Sequence, residues 1–196
     1  MSMISRLCCA LLLAFLLLPL GAGGQAHADE PRFTRIEPVI RDGKLEIDAE
    51  VDFQLNDQLR DAAERGLPLY FTADVVISRS RWWWFDDTVA DATLTWRVVY
   101  NALTRQWRAG AGELTFPVAS LDQAMDLVRH IHGWQLTDVS ELDYGVSYSG
   151  QLRLRLDTSQ LARPFQVNAL NSSSWSLATP WTDFSFVLSD KEKDPS

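Results

Sequence analysis

Apolar and polar residues alternate with a period of two along most of the chain, the signature of half-buried β-strands. The clearest run is 44–55, where Leu45, Ile47, Ala49, Val51, Phe53 and Leu55 alternate with Glu46, Asp48, Glu50, Asp52 and Gln54. It predicts a strand with one dry face and one acidic, wet face. Asp42-Gly43 ahead of it is a two-residue hairpin signal, and its partner is the stretch 33–41, where Pro38 points to a sheet edge or a bulge. The same alternation predicts strands over 69–80, 92–101, 106–109, 113–118, 144–156 and 184–188. In the first of these, Leu69, Phe71, Ala73, Val75 and Ile77 share one face. Leu94, Trp96, Val98 and Tyr100 form the apolar face of another, and 101–105 is the turn that folds Trp107 back beside it.

Two segments break this rhythm. Ser120-Leu-Asp-Gln123 has capping-box form, and Leu121, Ala124, Met125, Val128 and Ile131 follow at helical spacing until Gly133. A shorter helix is expected over 56–65, capped by Asn56, with Leu59, Ala62 and Ala63 inward and Gly66 and Pro68 as stop signals. The expected fold is all-β, a mainly antiparallel two-sheet sandwich, loosely immunoglobulin-like, with two short helices. The alternative is a partly open β-barrel.

The first 28 residues read as a signal peptide. Arg6 precedes an apolar run over 7–20, and Ala26-His27-Ala28 offers the small residues that a signal peptidase needs. Fourteen residues interrupted by Pro19 fall short of the roughly 20 that span a bilayer. Cleavage there predicts a periplasmic protein with no membrane span, a single domain over 29–189 and a disordered tail over 190–196. It also removes Cys8 and Cys9, leaving no thiol and a core that must hold without disulfides. Seventeen basic residues against 26 acidic ones then leave a formal charge of −9, against −8 for the whole chain. Such a charge repels phosphate backbones and anionic lipid surfaces, which argues against nucleic acid and membrane-surface partners.

Candidate chemistry is sparse. "RSRWWWFDD" at 79–87 sets aromatic rings between arginines and aspartates. Alternation would send Trp83 and Phe85 to the core face and Trp82 and Trp84 to the other, so one pair of rings anchors the fold. The other pair, with Arg79, Arg81, Asp86 and Asp87, is the candidate binding patch, the arginines stacking on rings or meeting an anionic ligand. Asp86, Asp87 and Asp91 lack the spaced oxygens and glycine of a calcium loop. His130 and His132, two residues apart at the end of the long helix, would diverge by about 200° and could share a metal only in a strand. The stretch Gly145-Val-Ser147-Tyr-Ser149-Gly150 lacks the second glycine of a nucleophile elbow and lies in a strand-like run. No metal or cofactor and no reaction is specified.

The stretches "GLPLYFTADVVISRSRWWWFDD", "YNALTRQWR" and "LRLRLDTSQLARPFQVNAL" resemble the exported proteobacterial domain-of-unknown-function family 4390. The resemblance runs over 33–186 and carries no catalytic residues across. It implies a bacterial, envelope-facing location and a gene neighbourhood with a nitrogen-regulation-type sensor histidine kinase.

Three readings compete. The first and favoured one is a non-catalytic periplasmic interaction domain that docks on an envelope protein, with a sensor histidine kinase as candidate partner. It predicts an exposed aromatic or edge-strand patch. The second is a small-ligand or glycan-binding module built on the 79–87 region, which requires a concave aromatic pocket with converging polar groups. An uncharacterised hydrolase is the third; it requires carboxylates distant in sequence, such as Asp87 and Asp143, to meet in a cleft.

Overall fold

The computed structural model describes residues 30–79, 87–170 and 172–189. The expected signal peptide and the expected tail lie outside the described residues. Nine strands and three helices follow in the order β1 (Arg32–Arg41), β2 (Lys44–Asp52), α1 (Asp57–Glu64), β3 (Leu69–Arg79), β4 (Asp87–Asn101), β5 (Gln106–Ala111), β6 (Phe116–Val118), α2 (Leu121–Arg129), β7 (His130–Asp138), β8 (Ser147–Leu156), α3 (Arg163–Leu170) and β9 (Thr182–Val187) among the described residues. They form two antiparallel sheets, one of three strands ordered β1-β2-β7 and one of six ordered β6-β5-β4-β3-β8-β9. The sheets do not close into a barrel, so the sandwich is the architecture and the barrel alternative is set aside.

The alternating residues of β2 and β3 make the core between the layers. Leu45, Ile47, Ala49 and Val51 face Leu69, Phe71, Ala73, Val75 and Ile77, and all are buried. The smaller sheet covers only part of the larger one. Over β5 and β6 its place is taken by α2, whose Leu121, Ala124, Met125 and Val128 are buried. The helix begins where the capping pattern places it: Ser120 accepts a hydrogen bond from the Gln123 N–H, and the Gln123 side chain accepts one from Ala119 N–H. In α1, Asn56 caps in the same way, Leu59 and Ala63 are buried and Ala62 is half-buried.

Hairpins are set by local chemistry. Asp42 and Gly43 both have positive φ, 50° and 74°, the conformation that matches the twist of flanking strands in a two-residue turn. At the β4–β5 turn the Asn101 side chain accepts from the N–H groups of Leu103 and Thr104, and Trp107 folds back against Tyr100 with ring centroids 5.0 Å apart.

The largest correction concerns the long helix. It ends at Arg129, and the chain passes without a loop into β7, which pairs with β2. Ile131 thus packs from a strand and not from a helix. Ile47 lies opposite Trp134 and Ala49 opposite Ile131, so three residues of β7 span two of β2. This is a bulge, with Gly133 at φ 63°. The extra residue replaces the period of two by a spacing of three, which also fits a helix. Pairing wins because β2 would otherwise expose a full row of backbone groups.

His130 and His132 accordingly share one face of a strand, with ring centroids 6.3 Å apart. The helix end is still felt at His130, whose Nδ1 lies 2.8 Å from the Asp126 carbonyl oxygen. Among the described residues no three histidine, cysteine or acidic side chains converge as metal ligands. Helix α3 is a further element that the alternation did not predict. Strand 113–118 shortens to β6, strand 144–156 begins only at β8, and strand 92–101 extends back to Asp87.

A second correction concerns the wet face of β2. Glu46 and Asp48 are each only 7% exposed. Arg41 lies across both, its Nη1 donating to Glu46 at 3.0 Å and its Nη2 to Asp48 at 2.6 Å. Gly133 N–H donates to Asp48 at 2.8 Å, and Gln135 Nε2 to Glu46 at 3.3 Å. The hydrogen bond from Arg41, then that from Gly133, hold the Asp48 carboxyl down at about 2. A depressed folded-state pKa contributes stability that is complete above the unfolded value and is lost as pH falls through the folded one. The stability due to Asp48 is therefore expected to be full above pH about 4 and to vanish between pH about 4 and 2. Equilibrium unfolding across that range checks it: Asp48→Asn should flatten the slope there, and an unchanged slope would refute the assignment.

Candidate functional site

Of the predicted patch, Arg79 and Asp87 are described; Arg81, Trp82, Trp84 and Asp86, like Trp83 and Phe85, lie outside the described residues. Arg79 is the last residue of β3 and Asp87 the first of β4, and they face each other in register. A bulge at Ile77/Ser78 shifts the pairing just before the end. On the other side of β3, Arg79 pairs with Tyr148 of β8.

The Arg79 guanidinium joins two carboxylates. Its Nη2 donates to Asp87 at 3.0 Å, and its Nη1 donates to Asp143. Nε is buried and has no hydrogen-bond partner among the described residues. The hydrogen bond to Asp87, helped by the nearby charge of Asp143, raises the pKa of Arg79 above its already high value, so the cation is permanent. Asp143 is held in turn by Tyr148, whose hydroxyl accepts from the Asp143 N–H at 2.7 Å. Tyr148 is fully buried and stacks on Phe186 with ring centroids 5.3 Å apart. This cluster pins the 142–146 turn to the end of the β3–β4 hairpin. The two carboxylates are largely exposed, so each ion pair adds little stability by itself.

The two aspartates named for the hydrolase reading do meet, but at a shared arginine that pairs with both. The arrangement orients a hairpin end, with both terminal nitrogens of Arg79 already engaged by carboxylates. Ser147 and Ser149 lie in the regular part of β8 and not at a strand-to-helix turn. Tyr148 is the residue that sequence reasoning passed over. The available signal was a tyrosine in the apolar phase of β8, just after a glycine turn.

A second constellation lies on the outer face of the six-stranded sheet. Asp74 accepts from Arg153 Nη2 at 2.9 Å, from Arg155 Nε at 3.0 Å and from Thr93 at 3.3 Å. Burial by itself would raise the Asp74 carboxyl, but the hydrogen bonds from Arg153 and Arg155 outweigh it and hold the group below the usual range. The Arg153 guanidinium stacks on the Trp181 ring at 4.5 Å.

Two facing antiparallel sheets with an ion-paired hairpin end define the molecule as a β-sandwich protein. The chain belongs to the family described as Domain of unknown function (DUF4390), whose model matches residues 28–185. No curated protein and no solved structure matches it. Among the described residues, no helix is long and apolar enough to cross a membrane.

Proposed function

We propose that the protein is a non-catalytic interaction domain of the bacterial envelope, acting in the periplasm and docking on an envelope protein. The extracytoplasmic part of a sensor histidine kinase is the candidate partner, on the associational ground of the gene neighbourhood that the family resemblance implies. The observation that carries the docking reading is the edge of β9. This strand ends the larger sheet, runs six residues without proline, follows directly on Trp181 and ends at Val187, 41% and 54% exposed. The opposite edge, β6, has three residues and carries Pro117; of the smaller sheet's two edges, β1 carries Pro38 and β7 is broken by the Gly133 bulge. Proline lacks the N–H that a docking strand would need and blunts an edge. Among the described residues β9, with β1 close by, thus retains a backbone row outside the ladder on which a partner strand can be added, as in strand-addition recognition.

The test is a photo-crosslinking side chain at position 187, compared with one at position 116 on β6, in cells that export the protein. The expected result is an adduct with an envelope protein from 187 alone, reproduced with its purified extracytoplasmic segment. Equal adducts from both positions, or none from 187, would defeat edge docking.

A further inference from the structure

The outer face beside β9 has a property that edge docking does not use. Three rows of side chains cross β3, β8 and β9 in register. Ser78, Ser149 and Ser185 form the first, and Val76, Gln151 and Asp183 the second. In the third, Asp74 faces Arg153, which stacks on Trp181. Neighbouring rows stand about 6.8 Å apart and neighbouring strands about 4.8 Å. The first two rows line a shallow groove of about 520 Å³, and the arginine–tryptophan stack stands beyond the second. Short side chains form the floor, and long ones wall one end.

The donors and acceptors are already arranged. Gln151 Nε2 donates to Asp183 Oδ1 at 2.8 Å, which fixes both planar groups. The other Asp183 oxygen and the Gln151 carbonyl oxygen remain as acceptors, and the hydroxyls of the three serines make no hydrogen bond with another described residue. A hydroxyl can both donate and accept. The charge on Arg153 is taken up by Asp74, so among the described residues that line the groove or stand beside it none offers a free cation to a phosphate or carboxylate. Its openness and polar lining do not suit an apolar ligand, which needs enclosure. Trp181 stands beyond the groove's lining and is 41% exposed; Arg153 covers one face of its ring, and the opposite face is an aromatic surface of the kind on which the C–H face of a sugar ring packs.

We propose that this groove binds a neutral saccharide, with Trp181 packing against a pyranose ring and Gln151, Asp183 and the serine row taking its hydroxyls. The site lies on the face of the sheet and not on its edge, so it stands whether or not the β9 edge docks a partner.

Chemical-shift mapping of the isotope-labelled protein titrated with chitotetraose and with maltotetraose tests it. The expected result is saturable shifts clustered at 149–151 and 181–185 with at least one of the two, at dissociation constants of about 0.1–1 mM, a level of roughly 4–5.5 kcal/mol suited to a shallow polar site. Trp181→Ala and Gln151→Ala, both at solvent-facing positions, should each weaken binding at least about tenfold while leaving the rest of the spectrum in place. No saturable shift from either sugar up to about 10 mM, or binding that both variants retain, would overturn the proposal.

Discussion

Phe71→Ala is expected to cost the protein about 3–5 kcal/mol, the range for truncating a fully buried aromatic ring. Phe71 has no exposed surface and packs against Phe53 with ring centroids 5.7 Å apart. It stands in β3, the strand hydrogen-bonded on both sides by β4 and β8, beneath the residues by which β2 closes the sandwich. Such a site cannot collapse, because moving its backbone would disturb two ladders at once. For a domain of this size the loss corresponds to a drop in Tm of roughly 6–20 °C, which differential scanning calorimetry would register. A drop of under about 2 °C would mean that the ring is not the centre of the core.

Gly110→Ala carries the second large effect, by the opposite mechanism. A Cβ at Gly110 would sit 2.0 Å from the Leu114 carbonyl oxygen and 2.9 Å from the Thr115 Cα. Both are backbone atoms of the β5–β6 turn, so no rotamer change makes room. The hairpin must open, and with it the surface on which α2 packs. Overpacking of this kind costs about 1–3 kcal/mol and at times more. Gly150→Ala provides the contrast. Its added Cβ would lie 2.2 Å from the Phe184 ring, a half-buried side chain that can swing aside. Thermal melts of the two variants should therefore rank Gly110→Ala as the more damaging. The reverse order would show that the β5–β6 turn yields more readily than the Phe184 ring.

The strands that dominate the core were legible because burial on one face imposes alternation. β2 and β3 read directly, and Asp42-Gly43 announced its hairpin. What stayed hidden has specific causes. The Gly133 bulge put Ile131 and Trp134 three apart and concealed β7 behind a helical spacing. α3 has no strong apolar stripe, and only Pro164 in its first turn marked it. Burial of Glu46 and Asp48 could not be foreseen from β2 itself, since the covering arginine comes from β1. Of the candidate patch, the meeting of Arg79 and Asp87 was not legible either, because continued alternation through 79–85 reads as one strand, whereas Arg79 ends β3 and Asp87 begins β4. The role of Tyr148 and the row joining Asp74, Arg153 and Trp181 were hidden too, because they depend on which strands become neighbours, and nothing local encodes the order β3-β8-β9.

The path of the chain between the layers also governs how the molecule comes apart. The small sheet takes β1 and β2 from the beginning and β7 from beyond β6, while the large sheet takes β3 to β6 and then β8 and β9. The polypeptide therefore crosses from one layer to the other three times. Neither layer is a continuous segment that could be excised, expressed or proteolytically released with its hydrogen-bond ladders complete. Because α2 runs straight into β7, pulling that strand from β2 also tugs on the helix that roofs β5. Loss of order is thus expected to spread through both layers together, as one cooperative transition and not as the peeling of a sheet.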